Sequence, residues 1–282
     1  MSKFNPEKEF LSIAPKYGAT IEPLTSASQV NKWCSKKTHG KINKILDKLD
    51  KETIILLLNA VYFKGMWSKQ FNKRLTQKKP FYNLNDKSKE IKVDRMSITE
   101  YFKYYGNNDL QIVELPYKKD SMSAVIILPN KNSNINEFIS KLDDNTLQDL
   151  FGKMYGNKVL LNLPKFELTF DSILNGFLKE LGMVEPFIKY KANFYGLKDG
   201  TKDGEYVYID KVIQKTFLKV DEEGTEAAAV TVVKGNKIFK SVQRKPKIYP
   251  MIVDRPFLFL LRNKNLPKNH ELIFMSKIEV LK

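Results

Sequence analysis

The chain carries few of the side chains on which enzymes build catalytic or metal centres. It contains two histidines, His39 and His270, and one cysteine, Cys34. Neither a Gly-x-Ser-x-Gly nor a His-Glu-x-x-His motif occurs, so a hydrolase nucleophile and a zinc peptidase site both lack a sequence basis. One cysteine excludes an internal disulfide and a cysteine zinc set. We therefore predict a protein that is not an enzyme and uses no cofactor and no metal.

One acidic segment partly matches a calcium-binding loop. Residues 199–204 read Asp-Gly-Thr-Lys-Asp-Gly, and Asp210 falls at the twelfth position. Thr201 stands where a loop of this kind needs an acidic ligand, and an aspartate replaces the usual final glutamate. An Asp/Gly turn is therefore the favoured interpretation.

The most distinctive segment is 219–233, which reads Lys-Val-Asp-Glu-Glu-Gly-Thr-Glu-Ala-Ala-Ala-Val-Thr-Val-Val. In an extended strand, alternate side chains share a face. One face would then carry no charge; it comprises Thr225, Ala227, Ala229, Thr231 and Val233. Local propensity leaves the conformation open, because three alanines favour a helix while four β-branched residues at 230–233 oppose one.

Two further segments decide between these alternatives. Residues 254–259 read Asp-Arg-Pro-Phe-Leu-Phe, and residues 59–67 read Asn-Ala-Val-Tyr-Phe-Lys-Gly-Met-Trp. Together with residues 222–229 they resemble the serpin family, in the same order and over nearly the whole chain. The three motifs resemble the family's C-terminal signature, the third strand of its main sheet running into the breach, and the hinge of its reactive loop.

The resemblance implies an α+β serpin fold. Such a fold has a large mixed β-sheet, smaller sheets, surrounding helices and an exposed reactive loop. We expect a single domain over residues 1–282, with the reactive loop at 221–250. The match begins near the family's fifth helix, so the N-terminal helices and one main-sheet strand have no counterpart here. An apolar content of 42% provides for a substantial core and argues against disorder.

The resemblance also implies a function, namely suicide inhibition of a serine peptidase. The alternative is a non-inhibitory serpin-fold binding protein or an inactive serpin fragment. The peptidase cleaves the exposed loop and becomes joined to it as an acyl-enzyme. The hinge side of the loop then inserts into the main sheet as an extra strand. Gly224 and Thr225 would be the pivot. The full predicted hinge is Glu222, Gly224, Thr225, Glu226, Ala227, Ala228 and Ala229.

The scissile bond has several candidates. The family's usual spacing from the hinge glycine points to Ile238–Phe239, with Lys237 and Lys240 close enough to compete. Counting back from the signature points instead to Arg244. A basic residue at the bond predicts a trypsin-like target, which we favour, whereas Ile238 predicts a peptidase with an apolar pocket.

Three further groups follow from the resemblance. Trp67 would lie in the breach, where the main sheet first opens. Asn59 and Gln214 would belong to the shutter beneath it, with Gln214 where the family usually has a histidine; we expect buried hydrogen-bond partners for Asn59. The signature comprises Asp254, Arg255, Pro256 and Phe257.

The net charge of +16 permits contact with a polyanionic glycosaminoglycan, although a basic solvated surface is the commoner explanation of scattered lysines. We predict neither a nucleic-acid partner nor a membrane span, since the longest apolar run is too short to cross a bilayer. A monomer is expected. The resemblance favours secretion to the extracellular space, with the cytoplasm as the alternative.

Four local expectations concern the framework. Residues 26–37 predict an amphipathic helix that buries Cys34. Residues 53–63 form a continuous apolar run, which predicts a central strand covered on both faces. A short strand is expected at 18–23, and a helix with one apolar face at 172–181.

Overall fold

In the computed structural model the described residues are 6–83, 90–118, 121–197, 207–225 and 246–281. They form two compact units, one made of Met1–Tyr62 with Leu168–Leu218 and the other of Phe63–Glu167 with Lys219–Lys282. The candidate scissile bonds, the hinge residues from Glu226 to Ala229 and the acidic segment at 199–204 all lie outside the described residues.

The helices are α1 (Lys8–Ile13), α2 (Ala27–Lys37), α3 (Ile135–Ser140), α4 (Asp144–Lys153) and α5 (Asn175–Glu180). The strands are β1 (Ile55–Tyr62), β2 (Gly65–Met66), β3 (Gln77–Tyr82), β4 (Glu90–Gly106), β5 (Leu110–Pro116), β6 (Met122–Pro129), β7 (Tyr155–Pro164), β8 (Phe166–Ile173), β9 (Ile209–Val220), β10 (Gly224–Thr225), β11 (Ile248–Ile252), β12 (Phe257–Asn263) and β13 (Leu272–Ile278).

The first unit is organised around α2 and two paired strands. The side chain of Ser26 accepts a hydrogen bond from the Gln29 amide at 3.1 Å and so caps α2. Strand β1 runs parallel to β9, with Asn59 opposite Gln214. Buried residues of α2, of the segment that follows it and of β9 form one core, which comprises Val30, Cys34, Ile42, Ile45, Ile213 and Phe217. The predicted burial of Cys34 is confirmed.

Strand β1 corrects one sequence expectation. Alternate residues Leu56, Leu58 and Ala60 pack against the α2 core. The residues between them point the other way, where Leu57 is 44% exposed and Asn59 is also exposed. The prediction of a strand covered on both faces is therefore wrong, and Asn59 is not a buried amide. The apolar run reflects one packed face and a second face that the described residues leave open.

The second unit contains an eight-stranded sheet in the order β11-β7-β4-β5-β6-β12-β13, with β3 also paired to β4. Strand β6 is buried from Ser123 to Pro129, as expected of an apolar strand at the centre of a sheet. Helices α3 and α4 cover one face, where Ile135, Leu147 and Leu150 join the buried side chains of β5, β6 and β12.

Several boundaries differ from expectation. Residues 18–23 form no strand, and α5 covers only Asn175–Glu180 because β8 continues to Ile173. The expected apolar face of that helix is open, since Phe177 is 58% exposed and Leu181 is 84% exposed. Strand β11 begins at Ile248, inside the segment assigned to the reactive loop.

Candidate functional site at the hinge

The hinge begins where β9 ends. After Val220 the chain makes an acidic turn at residues 221–223 and returns as β10. Thr225 lies opposite Val220 on one side and opposite Gly65 of β2 on the other, both antiparallel. The first hinge residues therefore already occupy a position between two strand ends.

Gly224 stands where no side chain fits. A Cβ atom at this position would lie 2.0 Å from the Gly65 carbonyl oxygen and 2.7 Å from the Met66 Cα. Both contacts are with backbone, which cannot rotate away as a side chain can. The close approach of β10 to β2 therefore requires glycine.

Thr225 is anchored by a buried tyrosine. Its Oγ1 lies 2.6 Å from the Tyr117 hydroxyl, and both residues are almost fully buried, at 0% and 2% exposed. Burial raises the pKa of Tyr117 well above its ordinary value, and the hydrogen bond with Thr225 offsets only part of this. The phenol is therefore neutral and can either donate to Thr225 or accept from it.

Trp67 forms the floor of the site. It is 1% exposed and stacks on Tyr117, with ring centroids 4.6 Å apart. Its indole N–H donates to the Asp221 carbonyl at 2.9 Å, and its backbone N–H donates to the Glu223 carbonyl at 3.0 Å. The indole is thus bonded to the turn that carries the hinge, and movement of that turn would change the surroundings of Trp67.

The acidic turn is held by its own side chains. Asp221 Oδ1 accepts hydrogen bonds from the amides of Glu223 at 2.9 Å and Gly224 at 3.3 Å. The carboxylate of Glu222 accepts from Thr76 Oγ1 at 2.7 Å and pairs with the Lys165 ammonium at 3.0 Å. Burial of Glu222 opposes ionisation, but these two partners outweigh it and hold the pKa of the carboxyl below its usual value.

Glu223 has partners of its own. Its carbonyl accepts a further hydrogen bond from the Gln70 amide at 3.2 Å, and its carboxylate Oε1 pairs with the Lys73 ammonium. Carboxylate Oε2 is buried without a hydrogen-bond partner. The hydrogen bond to Glu223 raises the pKa of Lys73. In the part of the chain that the structure describes, the Glu223 carboxylate therefore has Lys73 as its one hydrogen-bonded partner.

The structure brings some of the predicted residues together and separates others. Trp67, Glu222, Gly224 and Thr225 meet in this one site, in the second unit. The two predicted shutter residues lie opposite each other on the paired strands β1 and β9 of the first unit. Asn59 is exposed and Gln214 is half-buried. The remaining hinge residues and the candidate scissile bonds lie outside the described residues.

The signature residues tie three strands together. The Asp254 carbonyl accepts the Tyr82 amide at 2.9 Å, and the Arg255 guanidinium pairs with the Asp254 carboxylate at 2.8 Å. Arg255 Nε also donates to the Pro129 carbonyl at 2.9 Å, and Phe257 is fully buried. These contacts join the ends of β3 and β6 to the start of β12, next to a pocket of about 310 Å³.

Five contributors were missed from the sequence: Tyr117, Lys73, Lys165, Thr76 and Gln70. They belong to none of the motifs, and only the fold brings them to the predicted hinge. Glu223 gave no usable signal either, because its burial, which requires a cation beside it, is known only from the fold. Among the described residues no group of histidine, cysteine or carboxylate side chains could hold a metal, and no helix there is long and apolar enough to cross a membrane.

Comparisons with known proteins agree with this geometry. The family model "Serpin (serine protease inhibitor)" matches residues 2–280. Iripin-5 of Ixodes ricinus is 37% identical over 254 residues, which cover 90% of this chain and 62% of the relative. Intracellular coagulation inhibitor 2 of Tachypleus tridentatus is 33% identical over 276 residues, covering 94% of this chain and 64% of the relative.

Solved structures give the same result for the fold. Native tengpin, a thermophilic serpin, is 32% identical with a TM-score of 0.85, over 99% of this chain and 70% of that one. Native protease nexin-1 with heparin is 26% identical with a TM-score of 0.83, over 99% and 74%. The chain spans about 62% of the length of the first curated relatives it matches. The predicted α+β serpin fold is confirmed, and the chain belongs to the serpin family.

Proposed function

We propose that this chain inhibits a serine peptidase as a suicide substrate, by loop cleavage and insertion into the sheet, rather than acting as an enzyme. The observation that carries the proposal is the position of Thr225. It is fully buried and already occupies a strand position between Val220 and Gly65. The chain that follows is rich in small residues at 227–229, which can enter a closed sheet at low steric cost.

Strand polarity supplies a driving force. Strands β1 and β9 pair in parallel at eight register positions. Strand β10 is antiparallel to β9, as the pairing of Thr225 with Val220 shows, and a segment inserted in the same direction would be antiparallel to β9 as well. Insertion along β9 would exchange one parallel ladder for two antiparallel ones, which are slightly more stable per residue. About eight added pairs at ~1 kcal/mol each rival the whole stability of an ordinary domain.

The target class depends on the bond that is cleaved. We propose a trypsin-like peptidase, because Lys237, Lys240 and Arg244 are basic and the lysine-rich sequence around them offers few alternatives. Cleavage between Ile238 and Phe239 would instead indicate a peptidase with an apolar pocket. Mapping the new amino terminus after limited proteolysis distinguishes these bonds.

Compartment and further partners also belong to the proposal. We propose a secreted monomer, with the cytoplasm as the alternative; one relative is named an intracellular coagulation inhibitor. A polyanionic glycosaminoglycan is the second candidate partner. Its support is the net charge of +16 and the similarity to protease nexin-1, whose structure contains heparin. A salt-sensitive retention on heparin is expected if it binds.

Progress curves test the main proposal. The chain is incubated with trypsin, chymotrypsin and elastase, and residual peptidase activity is followed over time. We expect slow, irreversible loss of one activity at a molar ratio near unity. The competing possibility is a non-inhibitory serpin-fold protein, which would be cleaved in the loop while every peptidase retains full activity.

A further inference from the structure

We infer that Lys73 is a positioning residue for loop insertion: its ion pair with Glu223 seats the hinge between β9 and β2. This inference rests on the proposed inhibitory function, but the seating itself is a property of the unreacted protein. Lys73 lies outside every recognised motif, in a short 3-10 turn at Lys73–Leu75.

The position of Glu223 makes it a control point. It directly precedes Gly224, and its backbone carbonyl accepts hydrogen bonds from the backbone amide of Trp67 and the side-chain amide of Gln70. Its carboxylate side chain is only 12% exposed, whereas that of Lys73 is 63% exposed. The ammonium therefore reaches in from solvent to neutralise a carboxylate that the hinge carries into the protein.

Removing the cation leaves a buried charge. Glu223 Oε2 already lacks a hydrogen-bond partner, so Lys73 supplies the one ion pair of this carboxylate within the described ranges. An uncompensated buried carboxylate is unfavourable and is relieved either by protonation or by movement into water. Movement of Glu223 into water would take Gly224 and Thr225 with it, away from Tyr117.

The neighbouring charges do not replace Lys73. Asp221 and Glu222 flank Glu223 and are both acidic. Lys165, the other nearby cation, is already paired with Glu222 at 3.0 Å. Two lysines thus pair with two of the three acidic residues of the turn, and loss of Lys73 leaves Glu223, like Asp221, without an ion-pair partner among the described residues.

The test uses Lys73→Gln in the complete chain, with Lys69→Gln as the control. Lys69 is an exposed lysine of the same segment with no ion-pair partner among the described residues. Both variants replace one lysine by glutamine, so they change the net charge of the protein equally. Seating is measured without a peptidase, by acrylamide quenching of Trp67 in a Trp33→Phe background. We expect quenching to rise in Lys73→Gln and to stay unchanged in Lys69→Gln.

A rescue separates positioning from general packing. Lys73→Arg keeps the positive charge and should behave as wild type, and the double variant Lys73→Gln with Glu223→Gln should regain low quenching because no buried charge remains.

Inhibition is then measured on the same variants. The molar ratio needed for complete inhibition should rise about tenfold in Lys73→Gln, equivalent to ~1.4 kcal/mol in partitioning, and return to within about twofold in Lys73→Arg. Unchanged quenching in Lys73→Gln, or equal effects of Lys69→Gln, would overturn the inference. Altered quenching in a protein that inhibits nothing would preserve the role of Lys73 in seating and refute the inhibitory function instead.

Discussion

Gly224→Ala is the sharpest single perturbation of the hinge. The new methyl group would lie 2.0 Å from the Gly65 carbonyl oxygen, so β10 and β2 must separate. Three register pairs depend on this contact, and Thr225 would leave the Tyr117 hydroxyl. Lost backbone hydrogen bonds cost about 1 kcal/mol each, and an unpartnered buried hydroxyl about 1–3 kcal/mol. With one hydrogen bond for each register pair, we expect the free energy of unfolding to fall by roughly 4–6 kcal/mol.

Urea denaturation followed by tryptophan fluorescence measures this loss, and peptidase inhibition is assayed on the same preparation. Gly156→Ala is the matched control, because it also lies in a strand and a Cβ there meets nothing within 4 Å. The control should retain wild-type stability and inhibition. Wild-type stability and inhibition in Gly224→Ala as well would refute the close packing of β10 on β2.

Three other predictions follow from the same contacts. Thr225→Arg should abolish inhibition and turn the protein into a substrate, because a buried guanidinium would lose its hydration without a partner; a wild-type yield of peptidase adduct would contradict this. Glu222 has a folded pKa below its unfolded value, so its stabilisation should be present at neutral pH and lost as pH falls through the folded pKa; Glu222→Gln should flatten this acid dependence of unfolding. Cys34 is buried with a raised pKa, so its reaction with a thiol reagent should occur only as fast as the first unit opens; rapid labelling of the native protein would show that the α2 core is not closed.

The predicted hinge was assigned from the family resemblance, because its residues follow one another in the chain and can be matched to a motif. An acidic turn, a glycine and a run of small residues follow one another, and the structure places Gly224 where a Cβ cannot fit. Helix α2 was equally accessible, since its cap and apolar spacing are both encoded within twelve residues. Such features depend on near neighbours in the chain.

The partners of the hinge were not accessible in this way. Tyr117 and Lys165 come from distant positions, and only the pairing of strands brings them to Thr225 and Glu222. For strand β1 the sequence led to a wrong prediction of burial. An apolar run of this kind does not show whether one face of the strand is covered or both are. Leu57 is 44% exposed, so composition alone overestimated its burial.

The most direct measurement is the mass of the product formed when the chain meets trypsin. We predict an SDS-stable adduct. Its mass should be that of trypsin plus the N-terminal fragment of the chain, which ends at the cleaved residue within 237–244. Mass spectrometry of the adduct identifies that residue. Two loop fragments together with fully active trypsin, and no adduct at any molar ratio or with any peptidase of the panel, would contradict the inhibitory function.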